Sequence, residues 1–129
     1  MARPVKYSAN FRRREFDCHD GTAVPARADE LLEDLCRRYL QPLRRAFGPT
    51  QVLSGFRTPA HNAAVGGALL SQHLGPPSVT GIAADVRCAR GRPADWHRLV
   101  DELGPGGLGL YDGFIHVDNR TGPPARWTE

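Results

Sequence analysis

Apolar positions along the chain fall into two helical stripes and several short runs. Leu31, Leu35, Tyr39 and Leu43 recur at i, i+4 spacing, and Leu32, Cys36, Leu40 and Phe47 form an adjoining row. That period predicts an amphipathic helix over 28–47 with one wide apolar face. Asp29, Glu30, Glu33 and Asp34 lie early in it and Arg37, Arg38, Arg44 and Arg45 lie late, an order that suits the helix dipole. Gly48-Pro49 stops this helix, and Pro42 inside the pattern predicts a kink or break near Gln41. A second helix starts with Pro93 at its first position and carries Trp96, Leu99, Val100 and Leu103 at i, i+3, i+4, i+7 spacing. Gly104-Pro105-Gly106-Gly107 closes it.

The short runs read as strands. Residues 51–54 form one, 81–86 a second that is buried, and 108–111 and 114–118 a pair with Asp112-Gly113 between them, a hairpin signal. A brief helix is predicted over 59–65, ended by Gly66-Gly67, and residues 68–80 read as a loop. Residues 1–24 read as an irregular arm anchored by Phe11, Phe16 and Val24, and 121–129 as a polar, Pro-rich tail except for Trp127. The expected fold is α+β: a single loop-rich domain over 1–129, with a small antiparallel sheet packed against two main helices.

Composition sharpens this picture. Gly 14 and Pro 11 together make 25 of 129 residues, about a fifth, more loop than a short chain holds easily without a metal or disulfides. Cys18, Cys36 and Cys88 are odd in number and widely spaced, so no disulfide framework follows. They read as buried free thiols, with a single Cys18–Cys36 pair as the alternative. There is no apolar run long enough to span a membrane. The basic N-terminus has no apolar stretch behind it, so no secretory signal peptide is expected. The net charge of +3 is mild. Arg37, Arg38, Arg44 and Arg45 share a predicted helix with Asp29, Glu30, Glu33 and Asp34 and read as a solvated face, so no specific nucleic-acid partner is expected. A weak attraction to an anionic polymer stays open.

The histidines divide into two groups. His97 lies on the second helix, His61 in the brief helix and His19 in the N-terminal arm, and all three read as structural. His73, Asp85 and His116 differ. Asp85 interrupts the apolar run Ile82-Ala83-Ala84-Asp85-Val86, and burying a lone carboxylate there costs several kcal/mol unless it is paired or bound to a cation. His116 interrupts Phe114-Ile115-His116-Val117-Asp118, and at period two it shares a face with Asp118. With His73, in the loop stretch Ser71-Gln72-His73, these residues suffice as the three protein ligands of a catalytic zinc. Spacing alone equally allows the strand residues simply to pair.

A resemblance decides between these readings. Ser54-Gly55-Phe56-Arg57-Thr58-Pro59, His61-Asn62, Gly66-Gly67 and Ser71-Gln72-His73 resemble the SGYR…N…GG…SxH stretch of the D-alanyl-D-alanine carboxypeptidase-like zinc peptidases. Gly81 to Asp85 resembles their GxAxD segment, and Gly106 to Tyr111 followed by Phe114 to Asp118 resembles their GGxGxY…HVD ending. Residues 11–18 are similar to the segment that precedes this domain in small phage and bacterial members. The likeness runs over about 11–127, and three ordered motifs in one chain are specific.

The resemblance implies one Zn2+ per chain, held by His73, Asp85 and His116, in a peptidase acting on peptidoglycan stem or cross-link peptides at D-Ala bonds. Zinc would lower the pKa of its water to about 7 and polarise the scissile carbonyl, while a carboxylate takes the water's proton. Arg57 would stabilise the oxyanion or hold a substrate carboxylate. Two departures stand out. Residues 74–80 lengthen the loop between His73 and Asp85, which a loop absorbs at small cost. The position where many members carry the catalytic acid is Gly113. Asp118 or Asp112 is then the expected base, Asp118 being also a possible partner to the ligands. A monomeric wall hydrolase without an export sequence fits a phage lysin released through a holin, or a virion component. The alternative is a non-catalytic zinc module of the same fold, with a phage structural or wall-binding role.

Overall fold

The computed structural model describes residues 2–129. The long apolar stripe forms the predicted helix in three continuous parts: α1 (Asp29–Leu35), a π-helical stretch (Cys36–Leu40) and α2 (Gln41–Phe47). Pro42 explains the middle part. It has no N–H to donate, and its ring crowds the carbonyl four residues back. The chain widens just before it, so that the Gln41 N–H reaches the Cys36 carbonyl, five residues back. The expected disturbance near Gln41 is therefore a π bulge. Leu32, Leu35, Cys36, Tyr39, Leu40 and Leu43 are all buried. Each large apolar side chain among them contributes about 1.5–3 kcal/mol relative to exposure, so burial outweighs the helix defect.

Five strands form the main sheet: β3 (Thr50–Ser54), β4 (Ala83–Cys88), β5 (Gly107–Leu110), β6 (Ile115–Asp118) and β7 (Ala125–Thr128), in the order β3-β4-β6-β5-β7. All neighbours are antiparallel except β5 and β7. Strand alternation splits the sheet into two faces. Ala84, Val86, Leu108, Ile115 and Val117 point one way and join the core with Trp96 and Val100 of α4 (Pro93–Glu102). The opposite face carries a cross-strand row of Asp85, His116, Gly109 and Trp127, flanked on one side by Ala83, Asp118, Gly107 and Ala125. Polar chemistry thus lies on one face and packing on the other. α3 (Pro59–Ala64) and a 3-10 turn (Gln72–Leu74) lie in the connection between β3 and β4.

Two expectations need correction. The N-terminal arm is not irregular throughout. β1 (Lys6–Ser8) and β2 (Phe11–Arg12) form a hairpin, and a 3-10 turn (Arg13–Phe16) follows. Together they bring Tyr7, Phe11 and Phe16 into contact at full burial. The Gln41 side chain clamps the hairpin turn, accepting from Ser8 Oγ (2.7 Å) and the Asn10 N–H (3.1 Å) and donating to Asn10 Oδ1 (2.8 Å). The C-terminal tail is likewise not all loop, because β7 adds to the edge of β5. All three cysteines are free, and burial pushes the Cys36 thiol far above its usual range. Among the described residues, no helix is long and apolar enough to cross a membrane.

Candidate metal centre

His73 comes from the 3-10 turn rather than from the sheet, and three bonds hold it. Ser71 Oγ accepts from the His73 N–H (3.2 Å), the Arg57 N–H bonds to the His73 carbonyl (2.9 Å), and His73 Nδ1 donates to the Gly55 carbonyl at 2.7 Å. The loop that follows is tied at its far end, where the Gly81 N–H donates to Gln72 Oε1 at 3.1 Å. That tie lets a long loop return to the strand bearing Asp85. Register then sets Asp85 opposite His116. His73 Nε2 lies 3.2 Å and His116 Nδ1 3.1 Å from the same Asp85 oxygen, Oδ1.

The outer nitrogen of each ring decides what the inner one can do. A carbonyl only accepts, so His73 Nδ1 carries a hydrogen, and a neutral ring turns the Nε2 lone pair toward Asp85. Asp118 Oδ2 sits 2.7 Å from His116 Nε2. Arg120 grips the same carboxylate with Nε (2.9 Å) and Nη2 (2.7 Å), and its backbone N–H adds a third bond (3.1 Å). Burial is the largest single influence on Asp118 and opposes its ionisation, but His116 and Arg120 outweigh it and hold its pKa far below the ordinary range. An ionised Asp118 accepts from His116 Nε2, which leaves Nδ1 facing Asp85.

Three electron-rich atoms therefore converge within 4.8 Å of one another, on side chains that are all buried. Positive charge reconciles that arrangement, as protons on the rings or as a metal ion. The same demand appears in the acid–base balance. Burial weighs most against charge on His116, yet its bonds to Asp118 and Asp85 leave its pKa raised. Burial likewise opposes charge on Asp85, and His116 and His73 still hold its carboxyl well below the usual range. Two imidazoles and one carboxylate, each ring braced by a second partner, form a donor set that suits zinc and leaves a coordination position open. This is the one such cluster among the described residues.

The cluster lies in a cleft of about 480 Å³. Its aromatic wall consists of Trp127, whose ring centroid is 4.9 Å from that of His116, and of Tyr111 stacked on Phe114 at 4.4 Å. Arg57 also faces the cleft, with Nη2 3.6 Å from Asp85 Oδ2, Nε donating to Ser54 Oγ and Nη1 to Asn62 Oδ1. The two expected base candidates lie elsewhere. Asp118 is fully buried behind His116, and Asp112 is exposed on the turn between β5 and β6, outside the cleft lining. His19 and His61 sit together with ring centroids 5.9 Å apart, outside the cluster, and His97 stays on α4. Sequence reasoning missed Arg120, Trp127 and the aromatic wall. A lone Trp in a polar tail was the available signal.

The family model for Peptidase M15 matches residues 9–118. The zinc D-Ala-D-Ala carboxypeptidase of Streptomyces albus G is 35% identical over 120 residues, covering 88% of this chain and 46% of that protein. The chain thus spans about half the length of this curated relative. No solved structure matches.

Proposed function

Starting from a chain that belongs to the Peptidase M15 family, we propose that it hydrolyses peptidoglycan stem or cross-link peptides at D-Ala bonds, with zinc held by His73, Asp85 and His116. The observation that carries this reading is the convergence of His73 Nε2, His116 Nδ1 and Asp85 Oδ1 at the floor of an open cleft. Zinc in that position supplies Lewis acidity to a peptide carbonyl and makes water a nucleophile near neutral pH.

The chain's own residues do the rest. The Gly55 carbonyl and Asp118 fix the tautomer and tilt of the two imidazoles, so that binding the ion needs little reordering. Arg57 presents a guanidinium beside Asp85, placed to hold an oxyanion or a terminal carboxylate of the substrate. Asp118 acts as a positioning residue for His116, because both its oxygens are taken and none of it is open to water. Trp127, Tyr111 and Phe114 supply an apolar wall for the peptide.

The test is digestion of purified peptidoglycan by the zinc-loaded protein, with and without chelator. Released peptides that vanish on chelation and in His73→Ala support the reading. Zinc bound one per chain with no turnover favours the second reading, a wall-binding zinc module of the same fold.

A further inference from the structure

Two cavities meet at Asp85. One is the cleft with the aromatic wall. The second, of about 260 Å³, shares Arg57, Val65, Asp85 and Phe114 with it and adds His19, Leu53, Ser54 and His61. Asp85 turns Oδ1 to the two ligand rings and Oδ2 to Arg57. We propose that the smaller cavity receives the residue after the scissile bond, and that His19 and His61 join Arg57 in binding its free carboxylate. This rests on the peptidase reading above and makes the chain selective for substrates with a free C-terminus.

The two histidines come from distant segments. Thr58 Oγ1 joins those segments, donating to Asp20 Oδ2 at 2.7 Å and accepting from the His61 N–H at 3.1 Å. The imidazoles then meet edge to face, with centroids 5.9 Å apart. Asp20 is spent on this tie and on the Thr22 N–H (2.8 Å), and it does not line the cavity. Neither imidazole is hydrogen-bonded among the described residues. No third metal-ligating group joins them there, so the pair offers N–H donors rather than an ion site. Each ring keeps at least one N–H whether neutral or charged.

The rest of the wall fits the same occupant. Arg57 gives one N–H to Ser54 Oγ (3.1 Å) and one to Asn62 Oδ1 (3.3 Å), which leaves Nη2 at the Asp85 end. Asp85 is the one carboxylate in the lining, and both its oxygens are already faced by cationic or ring nitrogens. A cavity rich in donors and poor in acceptors is complementary to a carboxylate. Leu53, Val65 and Phe114 supply apolar surface for a methyl side chain. The volume lies below the roughly 300–1,000 Å³ of ordinary ligand pockets, which suits one small residue. A residue spans roughly 3.3–3.6 Å of chain. A carboxylate one residue beyond a carbonyl at the cluster therefore falls beside Arg57, whose Nη2 is 3.6 Å from Asp85 Oδ2. The residues before the bond are left to the aromatic wall.

The experiment uses a muropeptide ending in D-alanyl-D-alanine and the same peptide with its C-terminus amidated, the amide being read as substrate or as competitor. Wild type is compared with His19→Leu, His61→Leu, the double variant, His61→Gln and His97→Gln, with zinc content and thermal midpoint measured for each. Wild type is expected to prefer the free acid. In the double variant KM for the acid rises at least about tenfold, the effect of losing hydrogen bonds to a charged group. Its kcat, its affinity for the amide and its zinc loading stay within about threefold. Each single Leu variant shows part of the rise, which keeps the test in force if the double variant does not fold. His61→Gln, which retains an N–H donor, recovers part of the affinity, and His97→Gln matches wild type. Equal handling of acid and amide by wild type overturns the proposal while the peptidase reading stands. So does a KM that is unmoved in the Leu variants, or one that rises equally for acid and amide. A zinc-loaded wild type that cleaves neither peptide overturns the peptidase reading itself.

Discussion

Asp118 lies 2.7 Å from His116 Nε2 and has no exposed surface, with Arg120 closing its other side. The pair behaves as a bracket that aims His116 Nδ1 at Asp85. Replacing Asp118 by Asn keeps the shape but removes the charge that fixes the tautomer. Zinc affinity in Asp118→Asn is therefore expected to fall about 10–100-fold, the usual effect of losing such a partner. Competition against a chromogenic chelator measures it.

Gly107 makes that bracket possible. A Cβ at this position would overlap the Asp118 carboxylate, and one at Gly109 would stand 2.5 Å from the Trp127 indole. Gly107→Ala is expected to cost about 1–3 kcal/mol, the usual range for overpacking, and to weaken zinc binding as well. Gly109→Ala is expected to displace the indole from beside His116 and to shift tryptophan emission. Chemical denaturation and fluorescence check the two variants.

The N-terminal hairpin adds a pH-dependent tie. Arg3 bonds to Asp29 through Nε (2.8 Å) and Nη2 (2.9 Å), and Tyr7 Oη donates to Asp29 Oδ1 at 2.6 Å. The Arg3 guanidinium is the chief cause holding the Asp29 carboxyl below its ordinary value, against the effect of burial, with Tyr7 assisting. A folded pKa below the unfolded value near 3.9 means the stabilisation is present above about pH 4 and is lost as pH falls through the folded value. Asp29→Asn should therefore lower the thermal midpoint at pH 7, and the gap from wild type should close as pH drops below about 4. Melting curves across pH 2–7 test the sign.

Much of this site was legible in the chain because it breaks local rules. Asp85 and His116 interrupt apolar runs, and Pro42 interrupts a helical stripe. The two main helices followed from periodicity and four of the main sheet's strands from short apolar runs, within a residue or two at their ends. The hairpin at the N-terminus did not, because the Gln41 amide that clamps its turn is more than thirty residues away. β7 did not either: one Trp in a polar tail gives no alternation to read, and its place depends on the bare backbone of Gly109. Gly107 and Gly109 are strand residues, and they clear space for a carboxylate and an indole.

Removing the ion leaves the lone pairs of His73 and His116 facing Asp85. The rings must then charge or the cluster must loosen. Chelation is expected to lower the thermal midpoint. At free zinc 100 times its dissociation constant, the stabilisation lost is about 2.7 kcal/mol. Calorimetric melts with and without chelator read this directly. An unchanged midpoint would mean the ion contributes nothing to the folded state.

Zinc binding at the cluster and peptide hydrolysis are tested together by one titration. Zinc is added in steps to chelator-stripped protein, while mass spectrometry follows the products of a defined muropeptide. Cleavage is expected to rise with zinc and to break at one equivalent per chain, with no cleavage by His73→Ala. Full zinc occupancy without any product, or cleavage that persists in the stripped protein, would contradict it.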